Sequence, residues 1–123
     1  RRERANEADV MNIVGDVRGK NCLIVDDMCD TGGTICKVAK ALHDAGAQDI
    51  FAVFTHAVLS GKAVDNISSS YLKKVIVTNT IPLSENSRKL ADSGRLEVLC
   101  VGRLLASAIK SIHDETSVSS LFI

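Results

Sequence analysis

The sequence predicts an α/β fold, a mainly parallel sheet flanked by helices. Three observations carry that expectation. Short runs rich in Val, Ile, Leu and Phe alternate with stretches of helical periodicity after Gly19-Lys20. The runs are apolar without strict alternation, which suits strands covered on both faces. A turn separates each run from the helical stretch that follows, and this rhythm gives right-handed parallel crossovers.

The elements follow in order. Residues 1–9 are polar and charged and are expected to be an exposed arm or loop. Residues 10–14 turn apolar before Gly15-Asp16 and predict an edge strand. Strands are expected at 22–26, 50–55, 75–78 and 96–101. In residues 33–45 the apolar positions Ile35, Val38, Ala39, Leu42 and Ala45 recur at helical steps, and Gly46 follows as a stop. In residues 101–112, Val101, Leu104, Leu105, Ala108, Ile109 and Ile112 fall on one helical face. A shorter helix is expected near 62–67 after Ser60-Gly61, and 85–92 reads as loop or helix.

Length and composition bound the rest. The 123 residues suit one domain, and 46% apolar with 24% charged residues argues against disorder. Fifteen basic residues balance fifteen acidic ones, so nothing in the charge favours nucleic acid or an anionic membrane as partner. No apolar run approaches the roughly 18 residues of a membrane span. Aromatic residues are 3% with no Trp, leaving little for stacking on bases. The opening at Arg1, without Met or a signal segment, predicts a piece of a longer polypeptide. Cys22, Cys29, Cys36 and Cys100 form no C-x-x-C pair and have no His at zinc-ligand spacing. Reduced thiols in a cytoplasmic protein are expected.

The chemistry concentrates in Asp26-Asp27-Met28-Cys29-Asp30-Thr31-Gly32-Gly33-Thr34. An apolar strand runs into carboxylates, then into a glycine-threonine turn, then into an amphipathic helix. Ligands of open α/β sheets bind at the carboxyl ends of strands. Helix N-termini present free N–H groups and a positive dipole end to phosphate. Gly32 and Gly33 permit close backbone approach, and Thr31 and Thr34 add hydroxyls. Asp26 and Asp27 can accept hydrogen bonds from sugar hydroxyls or hold Mg²⁺ through water. A simple helix cap by Asp30 or Thr31 explains one acidic residue but not three crowded together. The spacing differs from that of a Walker P-loop. His56 and His43 read as structural, and Cys29, with carboxylates around it, as weakly reactive.

The stretch resembles the signature of enzymes that make or use phosphoribosyl diphosphate. Arg1-Arg2 with Ala5-Asn6, Thr55-His56 before Ser60-Gly61, the 77–84 stretch Val-Thr-Asn-Thr-Ile-Pro-Leu-Ser and the Ser117-Val118-Ser119 ending with Leu121-Phe122 narrow it. Together they resemble the C-terminal portion of the ribose-phosphate pyrophosphokinases over essentially the whole chain. The resemblance implies a phosphoribosyltransferase-like (Rossmann-like) fold, with the family's N-terminal domain absent. It implies that Asp30, Thr31, Gly32, Gly33 and Thr34 bind the 5-phosphate of ribose 5-phosphate. Asp26 and Asp27 match the acidic pair that reads the ribose hydroxyls and helps place Mg²⁺. Arg2 matches a catalytic arginine on a flexible arm, whose remnant is residues 1–9. The implied reaction moves the diphosphoryl group of MgATP to ribose 5-phosphate, giving phosphoribosyl diphosphate and AMP. Ser117, Ser119 and Phe122 match a regulatory site for inorganic phosphate and ADP between subunits of a homo-oligomer, a hexamer of dimers in the family. The isolated piece is expected to be inactive. The rival readings are a phosphoribosyltransferase, which shares the acidic turn, and a non-catalytic regulatory subunit, which should carry a disrupted loop.

Overall fold

The computed structural model describes residues 12–122. Strands β1 (Cys22–Cys29), β2 (Ile50–Ala57), β3 (Leu72–Thr78) and β4 (Leu96–Leu99) form one sheet in the order β1-β2-β3-β4. All three strand pairs are parallel. Helices α1 (Gly33–Asp44), α2 (Ala63–Ser68) and α3 (Glu85–Asp92) link successive strands. Helix α4 (Gly102–His113) and a 3₁₀ turn (Ser119–Phe122) follow.

The sheet forms where β-branched and other apolar residues cluster, and its register fixes what each face carries. Val25 stands opposite Val53, Val53 opposite Ile76, and Val75 opposite Leu96. Because the strands run in sequence order with right-handed crossovers, α1, α2 and α3 fall on one face of the sheet. Neighbouring helices touch, α1 to α2 and α2 to α3. Under them lie Ile50, Ala52, Phe54, Leu72, Val75 and Val77, packed with Ala39, Ala63, Ile67 and Leu90. Gly46 ends α1 in a left-handed turn, φ +94°, where an added Cβ would stand 2.9 Å from the Arg18 side chain. The 85–92 stretch resolves as a helix because Ser84 accepts from the Ser87 N–H at its N-terminus. Arg95 ties α2 to the sheet, its guanidinium donating to the carbonyls of Ile67 at 2.9 Å and Ser68 at 3.1 Å.

The structure corrects four expectations. Strand β1 runs past Asp26 to Cys29, because Met28 and Cys29 keep pairing with His56 and Ala57. No edge strand covers residues 12–14, which have no regular structure, with Val14 almost wholly exposed; Val10 and Met11 lie outside the described residues. Among the described residues the strands are covered by helices on one face only. Among the described residues the face opposite the helices is bare, with Leu23 at 59% and Val25 at 71% exposure. Among the described residues the apolar stripe of α4 also faces no core: it buries no residue, and Ile109 and Ile112 are more than half exposed. The bare sheet face and the uncovered α4 stripe share one physical reason. Apolar periodicity marks a surface able to be covered, whereas the layer that covers it is a tertiary matter.

No helix among the described residues is long and apolar enough to cross a membrane. The one-sided packing sets a stability contrast. Ile67→Ala, which empties a fully buried site under α2, should cost about 2–5 kcal/mol. Val25→Ala on the bare face should cost about 0.5 kcal/mol or less. Chemical denaturation of both variants of this chain checks this, and equal losses would contradict the bare face.

Candidate functional site

Strand β1 delivers its carboxylates to the carboxyl edge of the sheet, and the chain turns there into α1. The residue at the turn is Gly32, in the left-handed region at φ +80°, with no side-chain cap on the helix. A residue with a Cβ is strained at that φ, so glycine is what the turn requires. Neither Asp30 nor Thr31 caps α1, which removes the reading of this segment as an ordinary helix cap. The first helical N–H to find a backbone acceptor is that of Cys36, bonded to the Gly32 carbonyl at 3.0 Å. The N–H groups before it belong to the turn that a helix leaves unsatisfied.

A cavity of about 250 Å³ opens at this edge, lined by Asp26, Asp30, Thr31, Gly32, Gly33 and Thr34. Phe54 and Ile35 form its apolar side. Six of the seven residues singled out for sugar-phosphate binding therefore meet at one cavity. Asp27 does not line it. Asp26 stands opposite Phe54 on β2, which also lines the cavity, whereas Asp27 has no partner in that register. The Asp27 N–H donates to the Asp26 carboxylate at 2.8 Å. Neither aspartate forms an ion pair among the described residues, and Arg18 pairs with Asp16 at 3.1 Å.

The loop is braced from the segment after β2. The N–H groups of Leu59 and Ser60 donate to the carbonyls of Cys29 and Asp30, both at 2.9 Å. The Ser60 hydroxyl donates to the Asp30 carboxylate. The Asn66 side-chain amide, on α2, donates to the Thr31 carbonyl at 2.8 Å. Sequence reasoning assigned Ser60 and Asn66 no role. They lie 30 and 35 residues from their partners, a separation at which no local pattern signals a contact.

Cys29 lies buried behind the loop. Burial, with Cys36, Asp30 and Asp26 nearby, pushes its thiol up to about 11, so it stays protonated and inert. Burial also raises the Cys36 thiol. His56 has a structural partner, its Nδ1 standing 2.8 Å from the Thr80 hydroxyl. His43, in the last turn of α1, stacks on Tyr71 with ring centres 3.8 Å apart. Ser117, Ser119 and Phe122 lie in the tail, away from the cavity lining. The Ser117 and Ser119 hydroxyls are 2.7 Å apart, and Phe122 is exposed. Arg2 and the rest of the 1–9 arm lie outside the described residues. Among the described residues no group of three His, Cys, Asp or Glu side chains is placed to hold a metal.

The thiol environments give an order of reactivity. Exposed Cys100 should alkylate first and Cys29 last in the folded chain at mildly alkaline pH. Mass spectrometry of peptides after timed alkylation reads the order, and early labelling of Cys29 would contradict the packing of the loop.

The site's likeness to known proteins is extensive. The family model described as phosphoribosyl synthetase-associated domain matches residues 2–123. The ribose-phosphate pyrophosphokinase of Vibrio parahaemolyticus is 52% identical over 122 residues, covering 99% of this chain and 38% of the relative. That of Haemophilus influenzae is 50% identical with the same coverage. The chain thus spans well under half the length of the curated relatives it matches. The crystal structure of phosphoribosylpyrophosphate synthetase from Mycobacterium smegmatis superposes with a TM-score of 0.76 at 41% identity, covering 83% of this chain and 33% of that one. With the acidic strand end and glycine-threonine loop at one cavity, and this likeness along nearly its whole length, the chain belongs to the ribose-phosphate pyrophosphokinase family.

Proposed function

We propose that this chain forms the sugar-phosphate side of a ribose-phosphate diphosphokinase active site. The whole enzyme transfers the diphosphoryl group of MgATP to the anomeric hydroxyl of ribose 5-phosphate, giving phosphoribosyl diphosphate and AMP. The observation that carries the reading is the cavity at the end of β1, where Asp26 and Asp30 stand beside the glycine-threonine loop that opens α1.

The loop holds the 5-phosphate. Backbone N–H groups at the start of α1 and the hydroxyls of Thr31 and Thr34 donate to its oxygens, at the positive end of the helix dipole. Asp26 accepts from the ribose hydroxyls and so turns the anomeric carbon toward the incoming group. Fixing the acceptor in this way supplies much of the rate in phosphoryl transfer, where positioning and charge neutralisation dominate. The donor chemistry suits Mg²⁺, which is usually held by one or two carboxylates, waters and substrate phosphates rather than by a protein cage. Asp26 would hold it, with Asp27 reached through water, and Mg²⁺ when bound supplies neutralisation of diphosphate charge. Arg2, on the arm, would stabilise the group in transfer. Ser117, Ser119 and Phe122 would contribute to a phosphate and ADP regulatory site between subunits of a cytoplasmic homo-oligomer.

Amide NMR of this chain tests the loop directly. Adding ribose 5-phosphate should shift the Gly32 and Gly33 resonances, and Asp26→Asn should weaken the response more than Asp27→Asn, since only Asp26 lines the cavity. Silence at both glycines under millimolar ligand would overturn the reading. In a coupled assay for AMP, the isolated chain given MgATP and ribose 5-phosphate should show no turnover. The upstream part of the longer relatives is expected to hold most of the ATP site, so turnover at the rate of a full-length relative would contradict this division of the site.

A further inference from the structure

The loop that lines the cavity is held in shape by a residue that does not line it. Asn66 sits on α2, in the connection from β2 to β3, and its side-chain amide donates to the Thr31 carbonyl at 2.8 Å. Its backbone carbonyl accepts from the Cys36 thiol, in the first turn of α1, at 3.4 Å. One residue thus grips the segment on both sides of Gly32 and Gly33. The geometry of the peptide unit gives the grip a consequence. In a trans peptide the C=O and N–H point in opposite directions. Holding the Thr31 carbonyl against Asn66 therefore aims the Gly32 N–H away from α2. A carbonyl can only accept, so an amide N–H₂ on Asn66 suits it and a carboxylate would not.

The neighbouring contacts point the same way. Leu59 takes a left-handed conformation, φ +48°, and so places its own N–H and that of Ser60 on the carbonyls of Cys29 and Asp30. A non-glycine residue in that region carries strain that the surrounding structure must hold. The back of Gly32 rests on α2, where a Cβ would come within 3.8 Å of Ile67 and 3.9 Å of the Ala63 carbonyl. With glycine at both 32 and 33, the loop has no stiffness of its own. Its shape comes from the bonds made to it by the 59–66 segment.

We infer that Asn66 is a positioning residue for the sugar-phosphate loop, setting its affinity for ribose 5-phosphate through the Thr31 carbonyl. The inference rests on the loop reading proposed above for the ligand, but not for the bracing itself. Removing the side-chain bond should weaken ribose 5-phosphate binding about three- to tenfold, the range expected for one such hydrogen bond.

The test uses this chain with Asn66→Ala, Asn66→Leu and Val64→Ala. Asn66→Leu keeps the bulk and favours the helix, so it guards against a failure of Asn66→Ala to fold. Val64→Ala, on the same helix and partly buried against the core, supplies loss of stability without touching the loop. Two readouts are taken: the Kd for ribose 5-phosphate from amide shifts, and amide hydrogen exchange without ligand at Cys36, Leu59 and Ser60, whose N–H groups bond the carbonyls of Gly32, Cys29 and Asp30, against Val75 and Val77 in β3. Both Asn66 variants should raise the Kd and speed exchange at these loop amides and not at Val75 and Val77. Val64→Ala should lower the Tm with the Kd unchanged. A lowered Tm in the Asn66 variants with Kd and loop exchange unchanged would overturn the inference, as would an equal rise in Kd for Val64→Ala. If wild type itself does not respond to ribose 5-phosphate, the ligand reading fails, and the exchange comparison still decides whether Asn66 holds the loop.

Discussion

The structure depends on the handedness of the β-α-β crossover. Four parallel strands lie side by side in sequence order, so every connection makes the same right-handed move. Two consequences follow at once. All carboxyl ends of the strands meet at one edge, and the three connecting helices pack on one face. The first brings the acidic end of β1 beside the segment leaving β2, which is how residues about thirty positions apart come to share one loop. The second leaves the other face of the sheet open among the described residues. Parallel sheets are ordinarily covered on both sides. Here Leu23, Val25 and the half-buried Phe51, Val53 and Ile76 make an apolar surface, interrupted by the Lys74–Glu97 ion pair at 3.1 Å. The stripe on α4 is a second such surface.

The site is built from glycine freedom restrained by distant donors. Two left-handed residues turn the chain, Gly32 after β1 and Leu59 after β2. Glycine adopts that conformation freely, whereas Leu59 meets a cost of roughly 1–2 kcal/mol. The N–H bonds of Leu59 and Ser60 to the carbonyls of Cys29 and Asp30, each worth about 0.5–1.5 kcal/mol net, and burial of the Leu59 side chain offset that cost. The left-handed turn at Leu59 is therefore the means by which the β1–β2 pairing continues beyond the strands and into the loop.

An acidic cavity that receives a phosphate needs its charges sorted in space. The carboxylates of Asp26 and Asp30 approach from the strand end, while the loop presents backbone donors from the start of α1. Asp30 is engaged by the Ser60 hydroxyl and backbone, which directs one carboxylate to the scaffold. Asp26 lines the cavity with no cation paired to it among the described residues. The division leaves a carboxylate for hydroxyl or metal chemistry and keeps N–H groups for phosphate.

Much of this was legible in the sequence. Apolar runs without alternation located the strands, and helical spacing with Gly46 located α1 and its end, because local propensity and periodicity are properties of neighbouring residues. The carboxylates, glycines and threonines of the loop stand in one continuous stretch, so the candidate site could be read as a unit. The extension of β1 to Cys29 was not legible, since pairing with β2 and not propensity keeps Met28 and Cys29 extended. Nor was it legible that Asp26 lines the cavity and Asp27 does not, which the pairing of β1 with β2 decides. That nothing among the described residues covers Val25 or α4 was hidden for a different reason: an apolar stripe is identical in sequence whether or not something lies on it. What the sequence by itself determined was the order of elements and the chemistry of the loop. Only the tertiary structure decided which face is open, which aspartate meets the cavity, and that Ser60 and Asn66 hold the loop, because each depends on contacts between segments that no local pattern joins.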